Sequence, residues 1–397
     1  MIDLRAARSE PERFREAVAR KGAADAFDEL MAADRLWLDL VPKVDELRGR
    51  TKLKGKPTEE QLEELRRIKE DLKAAEEELA AAEARREELL ARVPNPPHPD
   101  APDGATEEDA AELRRWGDAA AADGAREHTE IGRFDMERAA RVSGSRFGYI
   151  IGDAARVAFA LYSFATDYLA DSGFMLVIPP VLVREEAMYG TGFFPSEKGD
   201  YYEIPTDGLY LTGTSEVALA SLHTGEVLEE LPLRYAGFST NFRREAGAAG
   251  RDTRGMFRVH QFNKVEMFVF VEPETSWEEH ARMLELEERF VQALGLPYRV
   301  VDTAAGDLGA PAARKYDIEA WFPSQGRYRE ITSCSNTTDY QARRLGIRYR
   351  SESGLRPPHT LNGTMVTDRG LLAVLENFGG EVPEVLQKYG APARVER

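Results

Sequence analysis

The chain has 397 residues, 42% of them hydrophobic and 31% charged, which suits two or three soluble domains with sizeable cores. It holds no run of about 20 apolar residues, and its start, MIDLRAARSEPERF, is too charged for a signal peptide; the expected location is the cytoplasm, with no membrane partner. The formal charge of −17 repels a polyanion at long range, and the single Cys334 excludes internal disulfides and cysteine-rich zinc sites.

Residues 1 to about 26 read as a short helical lead. From there Leu30, Ala33, Trp37, Leu40, Val44 and Leu47 alternate three and four apart, the seam of a coiled-coil helix. Pro42 falls inside it, where a kink is expected. Residues 48–57, with Gly49, Gly55 and Pro57, read as a polar turn. Thr58 and Gln61 then form a capping box for a second helix to about residue 93, whose seam is Leu65, Ile68, Leu72, Ala75, Leu79, Ala82 and Leu89. Joined by a tight turn, the two make an antiparallel hairpin over about 28–93, an arm of roughly 50 Å at 1.5 Å per residue. On pattern alone it suits a dimerisation or spacer coiled coil equally well.

The run VPNPPHPDAP stops the helix and marks a boundary. We expect an N-terminal domain over 1–108, a linker over 109–137 that is Ala- and Asp-rich at 117–124, and a second domain over 138–397. In the last, strands are expected at 174–180, 209–211, 233–242, 256–271, 298–301 and 316–321, and helices near 154–171, 277–294 and 371–377. Strands close in sequence without a βαβ rhythm predict an α+β domain: an antiparallel sheet flanked by helices.

No GxxxxGK[ST], HExxH, GxSxG or GxGxxG is present. The unusual feature is a charged pair of strands, LRYAGFSTNFRREAG and MFRVHQFNKVEMFVFV. Alternation puts Arg258, His260, Phe262, Lys264 and Glu266 on one face, with Phe262 about 13 Å from both Arg258 and Glu266. That span fits a planar base on Phe262 and an ammonium group at Glu266; a solvated face with cross-strand ion pairs is the alternative.

The segment FRREAGAAGRDTRGMFRVHQFNKVEMF resembles motif 2 of the class II aminoacyl-tRNA synthetases in the version found in the seryl-tRNA synthetase family, bacterial type. GFMLVIPPVLVREEAMYGTGFFP, with Pro180, resembles motif 1, and HTLNGTMVTDRGLLAVLEN resembles motif 3. LYLTGTSEVALA is similar to the family's serine-binding segment, and GRYREITSCSNTTDYQARR to its metal and ATP segment. The resemblance covers nearly the whole chain, hairpin included.

The resemblance implies an enzyme that activates L-serine with ATP to seryl-adenylate and passes the seryl group to the 3′ end of tRNA(Ser), and also to tRNA(Sec). It implies that Arg243 bridges the serine carboxylate and the α-phosphate and that Arg369 holds the γ end of the triphosphate, as the two catalytic residues. ATP would further meet Arg244, Glu245, Arg258, Val259, Phe262, Glu330, Ile331, Thr332 and Ser333. Glu245 and Phe262 resemble the adenine pair, and Glu330 and Ser333 would hold Mg²⁺. Serine would be bound by Thr214, Ser215, Glu216, Arg243, Glu266, Asn362 and Thr364. The arm would meet tRNA through Arg48, Arg50, Lys52, Lys54 and Lys56, and the motif 2 loop through Arg251 and Arg254. Between Lys43 and Lys56 six basic side chains face two acidic ones, a local basic tip on an acidic chain. A homodimer through motif 1 is also implied. His260 and Lys264 receive no catalytic step, and Cys334 is expected as a small buried residue.

Two other functions are weighed: an adenylate-forming paralogue serving a biosynthetic carrier, against which the retained basic arm argues, and a non-catalytic binding protein, against which Arg243, Glu266, Glu330 and Arg369 argue.

Overall fold

A computed structural model describes the chain except residues 53–57, 120–123, 247–251, 253 and 254. It divides into two compact units, Met1–Pro96 and Pro97–Arg397, parted inside the proline run.

In the first unit, α1 (Leu4–Ser9), α2 (Pro11–Ala19), α3 (Ala24–Arg50) and α4 (Glu59–Arg92) follow one another. Thr58 Oγ1 accepts from Gln61 N at 3.3 Å and Gln61 Oε1 from Thr58 N at 2.9 Å, the expected capping box. Both seams face inward: Leu30, Leu40 and Val44 of α3 and Ile68, Ala75, Ala82 and Leu89 of α4 are buried. The helix runs unbroken through Pro42 and takes in Gly49, so the expected turn starts later than its glycines suggest. One buried carboxylate departs from the apolar seam. Asp34, 1% exposed, accepts from Arg8 Nε and Nη2 at 2.6 and 2.7 Å and pairs with Arg86 Nε at 2.9 Å. The Arg86 guanidinium also lies 4.2 Å over the Trp37 ring.

The second unit is built on eight strands: β1 (Ala111–Trp116), β2 (Met175–Val177), β3 (Leu233–Phe242), β4 (Gln261–Val271), β5 (Tyr298–Asp302), β6 (Arg314–Phe322), β7 (Arg327–Asn336) and β8 (His359–Thr367). Their order is β1-β5-β6-β7-β8-β4-β3-β2, antiparallel except where β2 meets β3. Three differences from the sequence expectation matter. Ala111–Trp116, expected within the linker, is an edge strand: its charged side chains point to solvent, as edge strands tolerate, and Trp116 stacks on Tyr298 at 5.9 Å. The strand expected from 256 begins only at Gln261. Strands β7 and β8 were not among the expected strands, because each carries a bulge that breaks its alternation. Ile331 has no partner between Thr332, opposite Ile318, and Glu330, opposite Glu319; Met365 is likewise extra between Val366, opposite Val265, and Thr364, opposite Glu266.

Helices α5 (His128–Ile131), α6 (Asp153–Asp171), α7 (Ser276–Ala293) and α8 (Asp368–Phe378) belong to this unit. Val157 and Leu161 of α6, Met283 and Phe290 of α7, and Leu371 and Leu375 of α8 share one core with Val265, Met267 and Val269 of β4. On the opposite side of β4, Phe268 and Phe270 pack with Leu219, Tyr235 and Ala342. Strand β4 is therefore buried on both faces. In its N-terminal half Phe262 and Lys264 line the site, with Glu266 buried beneath it.

Candidate active site

The two bulges aim the site. Because β7 gains a residue at Ile331, Glu330 and Ser333, three apart, both line one cleft; because β8 gains Met365, Thr364 and Thr367 do the same, opposite Glu266 and Lys264 of β4. Thr367 then caps α8, its hydroxyl accepting from Arg369 N at 3.2 Å, which fixes Arg369 in the first turn.

Two adjoining clefts share a wall made by Arg243, Glu245, Arg258, Glu330, Ser333 and Arg369. The first extends to Val259, Phe262, Ile331 and Thr332; the second to Glu216 and Asn362. Arg243 stands between them. Its Nε donates to Gly213 O at 3.2 Å, and its guanidinium lies 5.3 Å over Phe262. A Cβ on Gly213 would sit 3.2 Å from the Arg243 side chain, so only glycine gives this approach without a shift. Glu245, at φ 51, holds a left-handed backbone that only a few side chains adopt. Its carboxylate pairs with Arg258 at 2.6 Å.

Thr214, Ser215 and Glu266 lie buried beneath the clefts. Glu266 forms an ion pair with Lys264, and Thr364 Oγ1 stands 3.4 Å from Glu266 Oε2 and 3.5 Å from Lys264 Nζ. Glu216 Oε1 accepts from Gln341 Nε2 at 2.7 Å and from Asn362 Nδ2 at 3.0 Å. Burial, then the charge of Glu266, raises its pKa to about 7. Glu330 behaves oppositely. Desolvation pushes its carboxyl up, but Arg369, Lys315 and Arg243 outweigh that and hold it below the ordinary range. Arg369 Nη1 bonds Glu330 O at 3.0 Å, and its guanidinium lies 4.6 Å over Phe257.

Residues 1–97 match the model of the seryl-tRNA synthetase N-terminal domain, and residues 202–378 that of the class II tRNA synthetase core domain shared by the G, H, P, S and T enzymes. The serine–tRNA ligase of Streptomyces coelicolor is 47% identical over 98% of this chain and 97% of its own length. The chain belongs to the seryl-tRNA synthetase family. Among solved structures, seryl-tRNA synthetase from Pyrococcus horikoshii complexed with ATP is 38% identical with a TM-score of 0.92 over 100% of both chains. The cytoplasmic enzyme from Naegleria fowleri in complex with AMP is 34% identical with a TM-score of 0.87, covering 98% of this chain and 96% of that one. The chain is thus a class II aminoacyl-tRNA synthetase, with the family's core sheet.

Most residues expected from the family resemblance come together around these clefts; Arg244 does not, and Arg258 and His260 stand otherwise than strand alternation placed them. Arg244 is exposed and lies over the Tyr202 ring at 5.9 Å, outside both. Arg258 is not spaced along β4 from Phe262 as alternation required: the chain turns before Gln261, which lets Arg258 pair with Glu245 beside Phe262. His260 binds Arg243 O through Nδ1 at 2.9 Å, a backbone role. Arg251, Arg254, Lys54 and Lys56 lie outside the described residues. Arg48, Arg50 and Lys52 are exposed, but Arg48 meets Glu76 at 2.9 Å and Arg50 lies 4.0 Å from Glu64, because the antiparallel hairpin brings glutamates of α4 across. Two residues of the site had no assigned part: Lys264, which neutralises Glu266, and Gln341, which holds Glu216. The strand alternation that grouped Lys264 with Glu266 was the signal for the first; nothing local marked the second.

Proposed function

We propose that the chain joins L-serine to tRNA(Ser) in two steps at the site described, activation by ATP and then transfer to the tRNA 3′ end. The observation that carries this is the position of Arg243, common to a cleft that reaches Phe262 and one that reaches Glu216 and Asn362. A planar guanidinium there can hold the serine carboxylate and the α-phosphate together, offsetting the repulsion of two anions. A carboxylate oxygen of serine then attacks the α-phosphorus, and the bond to the pyrophosphate oxygen breaks. Arg369 takes the developing charge at the far end of the triphosphate, and Phe262 with Glu245 receives adenine. Positioning and charge neutralisation supply the rate, and no covalent enzyme intermediate is needed.

Serine is read by hydrogen bonds. Glu266 and Thr214 bind its ammonium, which must share Glu266 with Lys264, and Glu266 with Thr364 reaches its hydroxyl. Alanine, which keeps the ammonium but lacks the hydroxyl, would leave the hydroxyl-binding groups without their partner. Mg²⁺ fits the donor set, since the ionised Glu330 and the Ser333 hydroxyl are hard oxygens on one face and the ion takes its other ligands from phosphate and water. When bound, it neutralises charge on the leaving phosphates. Among the described residues no cluster of three or more His, Cys, Asp or Glu could cage a metal alone.

The hairpin, with Arg48, Arg50 and Lys52, is the tRNA element, gripping phosphates and reading shape. Phe159 on α6, and Met175 and Ile178 in and just after edge strand β2, 70, 65 and 89% exposed, offer apolar surface to a second copy in a homodimer. No described helix is long and apolar enough to cross a membrane, and the cytoplasm is the proposed compartment. Charging of tRNA(Ser) with labelled L-serine tests the whole: ester-linked serine on tRNA(Ser), and none on tRNAs other than it and tRNA(Sec), is expected, and no charging refutes it.

A further inference from the structure

We infer that His128, from the segment expected to be a linker, is a positioning residue for ATP, acting as a latch between the motif 2 loop and the motif 3 helix. The inference rests on reading the cleft of Phe262 and Arg369 as the ATP site. The side chain is 4% exposed and its ring is bonded at both nitrogens. Met256 N–H, a donor with no alternative role, points at Nε2 from 3.2 Å, so Nε2 must carry the lone pair and Nδ1 the proton. Nδ1–H then donates to Glu376 Oε1 at 2.8 Å, and the same oxygen accepts from His128 N at 3.2 Å. Ser324 Oγ fixes the other oxygen, Oε2, at 2.5 Å, and the edge of the ring meets Phe134 at 5.5 Å.

What the latch holds is the return limb of the loop. Gly255, at φ 68, passes so close that a Cβ would lie 2.8 Å from Nε2. One residue beyond Met256, the Phe257 carbonyl lies 3.4 Å from Arg369 Nε, and its ring carries the guanidiniums of Arg329 at 3.6 Å and Arg369 at 4.6 Å. Glu376 stands on α8, whose first turn bears Arg369. One imidazole thus ties both ends of the Arg369–Phe257 contact to a common point, and neither nitrogen touches a cleft. Losing the Met256 bond frees Phe257 and the arginines on it, while Glu266, Thr214 and Thr364 at the serine end are left in place.

Two substitutions separate the bonds. His128→Gln puts an amide oxygen near the place of Nε2 and keeps an acceptor for Met256. His128→Asn puts its amide near Nδ1, keeping Glu376 and losing Met256. In serine-dependent ATP–pyrophosphate exchange, His128→Asn is expected to raise KM for ATP about tenfold, the size of one lost buried hydrogen bond, with KM for serine unchanged. Hydrogen exchange in 255–260 should quicken in the same variant, and His128→Gln should restore both. Equal behaviour of the two variants, or KM values for ATP and serine rising together, overturns the latch. Arg369→Ala separates the two readings: if it raises KM for ATP and His128→Asn does not, only the latch fails, and if Arg369→Ala leaves KM for ATP unaltered, the ATP site itself is misassigned.

Discussion

The hairpin unit and the sheet unit treat buried charge differently. In the hairpin the buried carboxylate Asp34 is matched by two arginines within 2.9 Å, and Arg8 with Arg86 holds its pKa down against desolvation. In the sheet unit Glu216, Glu266, Glu287 and Lys264 are buried within one neighbourhood, and the carboxyls of Glu216 and Glu287 are raised by desolvation. A paired charge stabilises a fold; a cluster of incompletely matched charges at one end of a sheet marks a place made for a ligand that completes it.

The largest effect that could break this contrast is removal of the hairpin. Excising residues 36–91 is expected to abolish tRNA charging and leave serine activation nearly intact, because every residue given a part in binding ATP or serine, from His128 onward, lies in the second unit. Charging and exchange assays on the same preparation decide it, and charging at the full-length rate would reduce the arm to a spacer. Next, Glu266→Ala should raise KM for serine by about 10- to 100-fold, the range for a hydrogen bond to a charged group, with KM for ATP little changed. Steady-state exchange at varied serine and ATP reads it.

Asp34→Ala should destabilise the hairpin unit by about 3 kcal/mol by leaving two arginines without their shared partner. Urea denaturation followed by circular dichroism would show the shift, while exchange activity stays at the wild-type level. The smallest effect concerns pH. Glu216 has its pKa raised from 4.5 to about 7, so the folded state holds a proton that the unfolded state releases. Its contribution to stability is therefore full below about pH 4.5 and is lost as pH rises to about 7. Glu216→Gln, which can still accept from Gln341 and Asn362, should remove that part of the decline. Melting temperatures at pH 5 and pH 7.5 should differ less in the variant than in the wild type.

The hairpin was legible because a heptad seam survives any choice of surface residues: every seam position from Leu65 to Leu89 lies inward or partly so. Asp34 was not, since an acid one residue off the seam looks like surface until Arg8 and Arg86 are seen around it. In the sheet unit the plainly alternating strands were found, whereas β7 and β8 were hidden by the bulges at Ile331 and Met365 that turn their side chains into the site. The site residues came from family strings rather than from periodicity. Alternation alone misplaced Arg258, and the latch at His128 depends on contacts 128 and 248 residues away that no local pattern records.

Serine-dependent ATP–pyrophosphate exchange by the full chain and by Arg243→Ala tests the central claim most directly. The wild type should exchange with L-serine and not with alanine, and Arg243→Ala should fold normally and fall below about a hundredth of that rate, as loss of several kcal/mol of transition-state stabilisation requires. Exchange supported equally by alanine, or an Arg243→Ala enzyme keeping more than about a tenth of the wild-type rate, would contradict the roles given to this site.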